Sequence, residues 1–396
     1  MVTQPPSALE AKPTARGSLS QVLDLVHQHR FLTRSEICRL TGLTRSTVAK
    51  IVAQLCELGL ANEGKVGSLD RVGRPSLGVS AADNVLAISV HPEVDYLEVK
   101  AVAFNGQIVQ STKRLYPKPR DPAQAVEDMV FEIRALVASL ERADHSYRVM
   151  GAGVIVPGQI DSGSGVVRQA PHLQWFEVPI KQQLSERLPM RVLLGNDASL
   201  GCKAEITYGA AKGSSEVVYL HGSSGIGGGI YMRGMELKGH GGYASELGHV
   251  RISSSSDNDY SGIPGTLEAL VRREDLEKVL GLNQVSDDVL ENALLEARTP
   301  HSTALAKRQI EALGIGVANL VNIFNPQTVV LAGFLSSLYR FDQKYFHQVV
   351  KRHAIPAALE ELEVFVGELG ANALAIGASE LVFEDLISNP IAYMKE

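Results

Sequence analysis

Between residues 19 and 60 the apolar positions recur at helical spacing in three successive runs, "LSQVLDLVHQHRFLTRSEICRLTGLTRSTVAKIVAQLCELGL". In the first, Leu19, Val22, Leu23, Leu25 and Val26 form one stripe. The second opens on a capping box, with the Thr33 hydroxyl accepting the N–H three residues on and Glu36 reaching back. Leu32 and Ile37 supply its hydrophobic staple, and the run ends at Thr41-Gly42. Thr44 caps the third, where Val48, Ile51, Val52 and Leu55 face inward and Arg45, Ser46, Thr47, Lys50 and Gln54 face outward. "LANEGKVGSLDRVGRPSLGVS" then predicts two short strands about a bend. A helix, a Gly-containing turn, a second helix with basic and hydroxyl residues at its start, and a strand pair predict a winged helix-turn-helix over 19–82.

After residue 83 the period changes to two. "VLAISVHPEVDYLEVKAVAFNGQIVQSTKRLY" alternates around Asn105-Gly106 and predicts two or three antiparallel strands. The helix "DPAQAVEDMVFEIRALVASLERA", the buried strand "VMGAGVIVPGQID", a helix near 178–188 and the strand in "MRVLLGNDASLGCKAEITYGAA" follow. The same program restarts at "EVVYLHGSSGIGGGIYMRGMELKG". The pattern predicts an α/β body over 83–396 with two related lobes and a cleft. One lobe takes 83–200 with 371–396, the other 201–370. Residues 1–18 have Pro, Ser and scattered charge without an apolar stretch, and read as a disordered tail.

Composition narrows the function. The chain has 396 residues, 45% hydrophobic and 21% charged, with no run of 18 apolar residues. No membrane partner and a cytoplasmic location are expected. Cys38, Cys56 and Cys202 are three thiols at unrelated spacings, which fits reduced, buried residues better than disulfides. The net charge of −6 is uneven: residues 1–80 hold ten Lys/Arg against six Asp/Glu, which leaves −10 for the rest. A basic head on an acidic body points to double-stranded DNA as the head's partner. Arg45 and Lys50 can reach guanine edges or phosphates, and Ser46 and Thr47 can donate to either. Arg74, set between Gly73 and Pro75, suits a narrow minor groove. A generic helical hairpin is the plainer alternative.

In the body, Asn196-Asp197 follows the apolar run "VLLG", where α/β sheets place ligand-binding groups. "HGSSGIGGG" can present backbone N–H groups to an anion. Glu246 and His249 lie three apart in "ASELGHV", and Glu268 ends "DYSGIPGTLE". Each also has a plain reading: an N-cap, a tight hairpin, solvated carboxylates, a structural histidine.

Their order resembles the ROK family of repressors, open reading frames and kinases. So do the head ending in Gly-Arg-Pro, "VPGQIDSGSGVVRQAPHLQWFEVPI", "GNDA", "SSGIGGGI", "GGYASELGHV", "GTLEAL", "NIFNPQTVVLAG" and the terminal "GASELV". The resemblance implies an actin-like/sugar-kinase ATPase fold in the body, with Asn196, Asp197, Glu246, His249 and Glu268 converging on a sugar. It also implies that Asp197 matches the base of the family's kinases. Their first phosphate turn, Asp-x-Gly-Gly-Thr, has no counterpart: Ser89 stands at the Asp position, His91-Pro92-Glu93 forms the following turn, and Phe334 replaces a glycine near the adenine site. Pro92 lacks an N–H and Glu93 adds negative charge, so no catalytic residue, no kinase activity and no cofactor are expected.

The resemblance further implies a zinc knuckle built on His249 and three cysteines, but those positions hold Asp259, Ser261 and Thr266. No metal is expected, which leaves His249 free to serve the ligand. Hydrogen bonds from Asp259 and Ser261, or Pro264, would stiffen the loop. Together these features imply a transcriptional regulator, by default a repressor, acting as a homodimer or homotetramer under a sugar or sugar-phosphate effector. The alternatives are a sugar kinase and a regulator controlled by a protein partner.

Overall fold

The protein is described by a computed structural model over residues 17–65, 77–161 and 163–393. It divides into two compact units. One holds the described residues of Met1–Leu86 with Ala103–Gln107 and those of Phe383–Glu396, the other Ala87–Val102 and Ile108–Val382.

In the head unit, helices form at Ser18–His29, Arg34–Thr41 and Arg45–Glu57. Thr33 and Glu36 make the reciprocal capping box. Gly42, at φ 71°, ends that helix by donating its N–H to Cys38, a left-handed geometry that a Cβ would disfavour. The Thr44 hydroxyl accepts the Thr47 N–H at 3.2 Å, and caps of this kind contribute about 1 kcal/mol. Val48, Ile51, Val52 and Leu55 are all buried. Strands Ala61–Lys65 and Leu77–Ala81 pair antiparallel as the wing. A third strand, Phe31–Thr33, pairs with Leu77–Ala81 on its other side. The sequence pattern marks these three residues only as the approach to a helix, because so short a run cannot display a period of two. Residues 66–76, and Arg74 with them, lie outside the described residues.

The head's core draws on distant chain. His27 Nδ1 lies 2.6 Å from the Phe104 carbonyl oxygen. Its ring stacks on Phe104 at 4.2 Å and meets Phe383 edge-on at 5.6 Å. Phe104 and Phe383 are themselves 5.1 Å apart in an edge contact, so three aromatic rings from three chain segments close one cluster.

Two five-stranded sheets build the body. The first has the order 192–196, 148–156, 85–92, 96–103, 108–115, the second 235–236, 226–232, 217–222, 328–333, 363–366. Val192–Asn196 runs parallel to Arg148–Val156. In the second sheet Val217–Gly222, Thr328–Gly333 and Glu363–Val366 are mutually parallel, and Ile226–Met232 folds back antiparallel. Parallel strands are buried on both faces and read as continuous apolar runs, as in "VVYLHG" and "TVVLAG". Ligands in such sheets bind beyond the strands' carboxyl ends, here at Asn196 and Gly222. Among the described residues no helix is long and apolar enough to cross a membrane.

Candidate functional site

Strand Val192–Asn196 passes directly into helix Asp197–Tyr208. Asn196 caps that helix, accepting the Ala198 and Ser199 N–H groups at 3.0 and 3.3 Å, and donates its amide to the Gly158 carbonyl at 3.0 Å. Its side chain therefore shapes the turn, with one amide hydrogen left uncommitted among the described residues. Asp197 accepts the Ala198 N–H with one oxygen at 2.9 Å and keeps the other uncommitted among the described residues. Burial pushes its carboxyl above the ordinary range. His221, the Ala198 N–H and His91 oppose that shift, and Glu93 adds to it.

Glu246 precedes the short 3-10 turn Leu247–His249, and its carboxylate takes no hydrogen bond from any other described residue. Burial raises its pKa, the charges of Asp197 and Glu268 raise it further, and His249 partly offsets them. Glu268, on the turn Leu267–Leu270, is buried. Its Oε2 accepts the Ile226 N–H at 2.7 Å and its Oε1 the Tyr260 N–H at 3.4 Å. The glycine-rich turn thus binds an anion from its own chain. A Cβ at Gly225 would lie 2.4 Å from Glu268 Oε2, which explains a glycine there.

The loop that would carry zinc is organised by a carboxylate. Asp259 Oδ1 accepts the N–H groups of Ser261 and Ile263, both at 2.9 Å. Its Oδ2 accepts the Thr266 hydroxyl at 2.9 Å and His249 Nδ1 at 2.8 Å. Positions 249, 261 and 266 therefore all donate to position 259. Of the two stiffening devices expected from sequence, the structure uses Asp259, with Ser261 contributing its backbone and not its hydroxyl. Burial works against the charge of Asp259, but its bonds from His249, Ile263 and Thr266 outweigh that and hold its carboxyl below the ordinary range. Burial likewise lowers His249, and the Asp259 bond with the charges of Glu268 and Glu246 more than reverses it. His249 is not free-standing: Nδ1 is committed and only Nε2 remains for a ligand.

One atom each from His249, Asp259 and Glu268 lie within 4.8 Å of one another. A zinc ion does not fit this donor set. The Asp259 oxygens already serve four donors, Nδ1 of His249 is one of those donors, and the Thr266 hydroxyl is another.

Two histidines to which the sequence motifs give no role act electrostatically on Asp197. His91 is the penultimate residue of strand Val85–Pro92 and His221 of Val217–Gly222, and the charge of each favours the ionised form of Asp197. They occupy like positions in the opening strands of the two lobes, "ISVHP" and "VYLHG", a repetition that could have flagged them. His91 Nε2 lies 3.3 Å from Glu93 Oε1. That contact holds the Glu93 carboxyl below its ordinary range despite burial, which acts the other way. Burial lowers His221, Asp197 opposes it, and the Tyr219 hydroxyl lies 3.2 Å from His221 Nδ1. Phe334 is a core residue, its ring packed over Gly222.

On the head, Arg45, Ser46 and Lys50 are exposed on Arg45–Glu57 and Thr47 is half-buried. The Ser46 and Thr47 hydroxyls stand 3.0 and 2.8 Å from that of Thr44. The basic side chains thus face solvent at the start of the second helix of the motif, and the hydroxyls are ordered beside them.

The ROK family model matches residues 88–385 and the IclR helix-turn-helix domain model residues 19–63. The chain is 27% identical over 390 residues to the putative xylose repressor of Caldicellulosiruptor sp. (strain Rt8B.4), covering 93% of this chain and 96% of that protein. The glucokinase of Thermotoga maritima is also 27% identical, but over 275 residues, 65% of this chain and 86% of the enzyme. A solved ROK family transcriptional regulator, a homologue of the E. coli Mlc protein, superposes with a TM-score of 0.79 at 20% identity, over 96% of this chain and 98% of its own.

Proposed function

The chain belongs to the ROK family, and on that premise we propose that it is a DNA-binding transcriptional regulator of carbohydrate genes. It acts as a repressor whose grip on its operator is set by a sugar or sugar phosphate in the body's cleft. The observation that carries this reading is one chain holding both a capped, basic helix-turn-helix and a set of uncommitted polar groups. Those groups are Glu246, one oxygen of Asp197 and Nε2 of His249. Sugar hydroxyls each donate and accept, so this set suits them. Glu268 and Asn196 spend their acceptor oxygens on backbone N–H groups and so shape the turns that carry this set. Resemblance to the xylose repressor extends through the head, whereas the match to the glucokinase covers 65% of the chain.

The chain is not a kinase in this reading. Phosphoryl transfer requires a triphosphate and Mg²⁺ held in line with the attacking hydroxyl. Pro92 offers no N–H, the charge of Glu93 opposes ionisation of Asp197, and the Ile226 N–H is already bonded to Glu268. Asp197 alone could accept a proton but would have no phosphoryl group in place.

A sugar that favours one closure of the lobes alters the spacing of two heads in a homodimer or homotetramer in the cytoplasm. Operator half-sites lie whole helical turns apart, so a modest change in spacing weakens binding. Moving the equilibrium from 1:99 to 99:1 takes about 5.5 kcal/mol of differential affinity. The test is affinity capture of fragmented genomic DNA by the full chain, with and without sugars, alongside an ATP-consumption assay on the same sugars. Enrichment of a discrete site that a sugar depletes supports the reading. Sugar-dependent ATP consumption without site-specific capture would replace it with the kinase.

A further inference from the structure

We propose that Arg34 and Glu63 are positioning residues for DNA reading: their ion pair fixes the wing against the helix-turn-helix, so that both parts are aimed together at one operator. This rests on the DNA-binding reading above. Arg34 opens the first helix of the motif, Arg34–Thr41, and Glu63 is the central residue of the first wing strand, Ala61–Lys65. Arg34 Nη2 donates to Glu63 Oε2 at 2.6 Å, and Nε lies 2.6 Å from Oε1 as an ion contact. Nε and Oε1 are shielded from solvent and make no hydrogen bond to any other described residue. Removing either side chain therefore strands a buried atom of the other.

The pair reaches across the head's sheet. In register over the three strands, Leu32 faces Val79 and Val79 faces Glu63. Leu32 and Val79 are buried, as is Ala61, which shares a face with Glu63 because strand side chains alternate. An otherwise apolar row thus ends on a carboxylate. Apolar contacts have no direction and leave a strand pair free to pivot, whereas a charge-assisted bond has one. The reading helix Arg45–Glu57 enters the wing through a short connection in which Gly59, at φ 64°, donates to Cys56 and Leu60 donates to Leu55, both at 2.9 Å. The first wing strand is therefore joined to the second helix by the chain itself and to the first helix by charge. In such motifs the second helix enters the major groove and the first crosses the DNA backbone. A wing tied to both meets DNA at a set distance from that groove, and the sequence between its strands carries Arg71 and Arg74. A carboxylate in a DNA-reading head repels phosphate, so on charge alone Glu63 weakens binding. Its contribution through position has the opposite sign.

The test is fluorescence anisotropy of the full chain on the captured site and on a scrambled duplex of equal length, for wild type, Glu63→Gln and Arg34→Lys, with hydroxyl-radical footprinting of the captured site. Losing the pair lowers the fraction of heads whose wing is in place. Glu63→Gln should therefore weaken the captured site by about fivefold, the upper range for a partly exposed pair, and bind the scrambled duplex as before or more tightly. Arg34→Lys keeps the net charge but loses the planar fork, and should weaken the captured site by about twofold with the scrambled duplex unchanged. In both variants, protection outside the reading helix's groove should fade while protection beside that groove persists. Tighter binding of both duplexes by Glu63→Gln makes its carboxylate a plain charge and overturns the inference. Equal weakening of both duplexes, or an unchanged captured-site affinity, overturns it as well, in variants that their melting temperatures show to be folded. If Glu63→Gln does not fold, Arg34→Lys decides by the same outcomes. A wild-type chain that prefers no site over the scrambled duplex overturns the DNA-binding reading and this inference with it.

Discussion

Asp259 accepts a 2.8 Å hydrogen bond from His249 and, with its remaining lone pairs, three further donors from its own loop. A carboxylate thus does by acceptance what a cation would do by attraction. Removing it strands the buried Thr266 hydroxyl and two amides. Asp259→Ala is expected to lower unfolding free energy by about 1–3 kcal/mol, the usual consequence of orphaning buried polar groups. Urea denaturation measures it, and a loss within error of zero would show that the loop is held by other means.

The same pair has a pH signature. His249 is raised above its ordinary 6.5, so its share of stability is complete below that pH and fades as pH climbs through the folded value. Asp259 is depressed below 3.8, so its share is present above that pH and fades as pH falls through the folded value. The stability difference between wild type and Asp259→Asn should form a plateau between about 3.8 and 6.5 and narrow on both sides. Urea midpoints across pH read it out, and a difference independent of pH would contradict it.

Protein purified without chelators should carry no stoichiometric zinc, and EDTA should leave its melting temperature unchanged. Elemental analysis showing one tightly held zinc per chain would overturn the hydrogen-bonded account of the loop.

On the head, Arg45→Ala and Lys50→Ala should each weaken operator binding, and a substitution that removes one phosphate-neutralising side chain should reduce the salt-dependence slope by roughly 1. Arg74→Ala should weaken it too, through the minor groove. Fluorescence anisotropy on the captured site provides the measurement. Unchanged affinity for Arg45→Ala and Lys50→Ala together would move the DNA interface off this helix.

What could be read from the sequence was local. Thr33 and Glu36, or Thr44 and Thr47, are three residues apart, and their bonds follow from helix geometry alone. Strand Phe31–Thr33 escaped because three residues carry no period and its partner lies beyond 76. The bond from Ile226 to Glu268 spans 42 residues, and the convergence on Asp259 depends on how its loop reverses. Motif position could therefore nominate Glu268 and His249, but only the fold shows that each is partly occupied by its own chain. The His91 and His221 pair was legible as a repetition, yet neither matches a known ligand role, so repetition alone did not single them out.

The ring cluster of His27, Phe104 and Phe383 bears on how the protein comes into being. A ribosome that has made residues 17–86 has written the DNA-reading helices but not the aromatic side chains that His27 packs against. The head's core is complete only once synthesis has passed Phe383. Stalled or prematurely terminated chains thus carry the reading helix on a core that lacks the Phe383 ring.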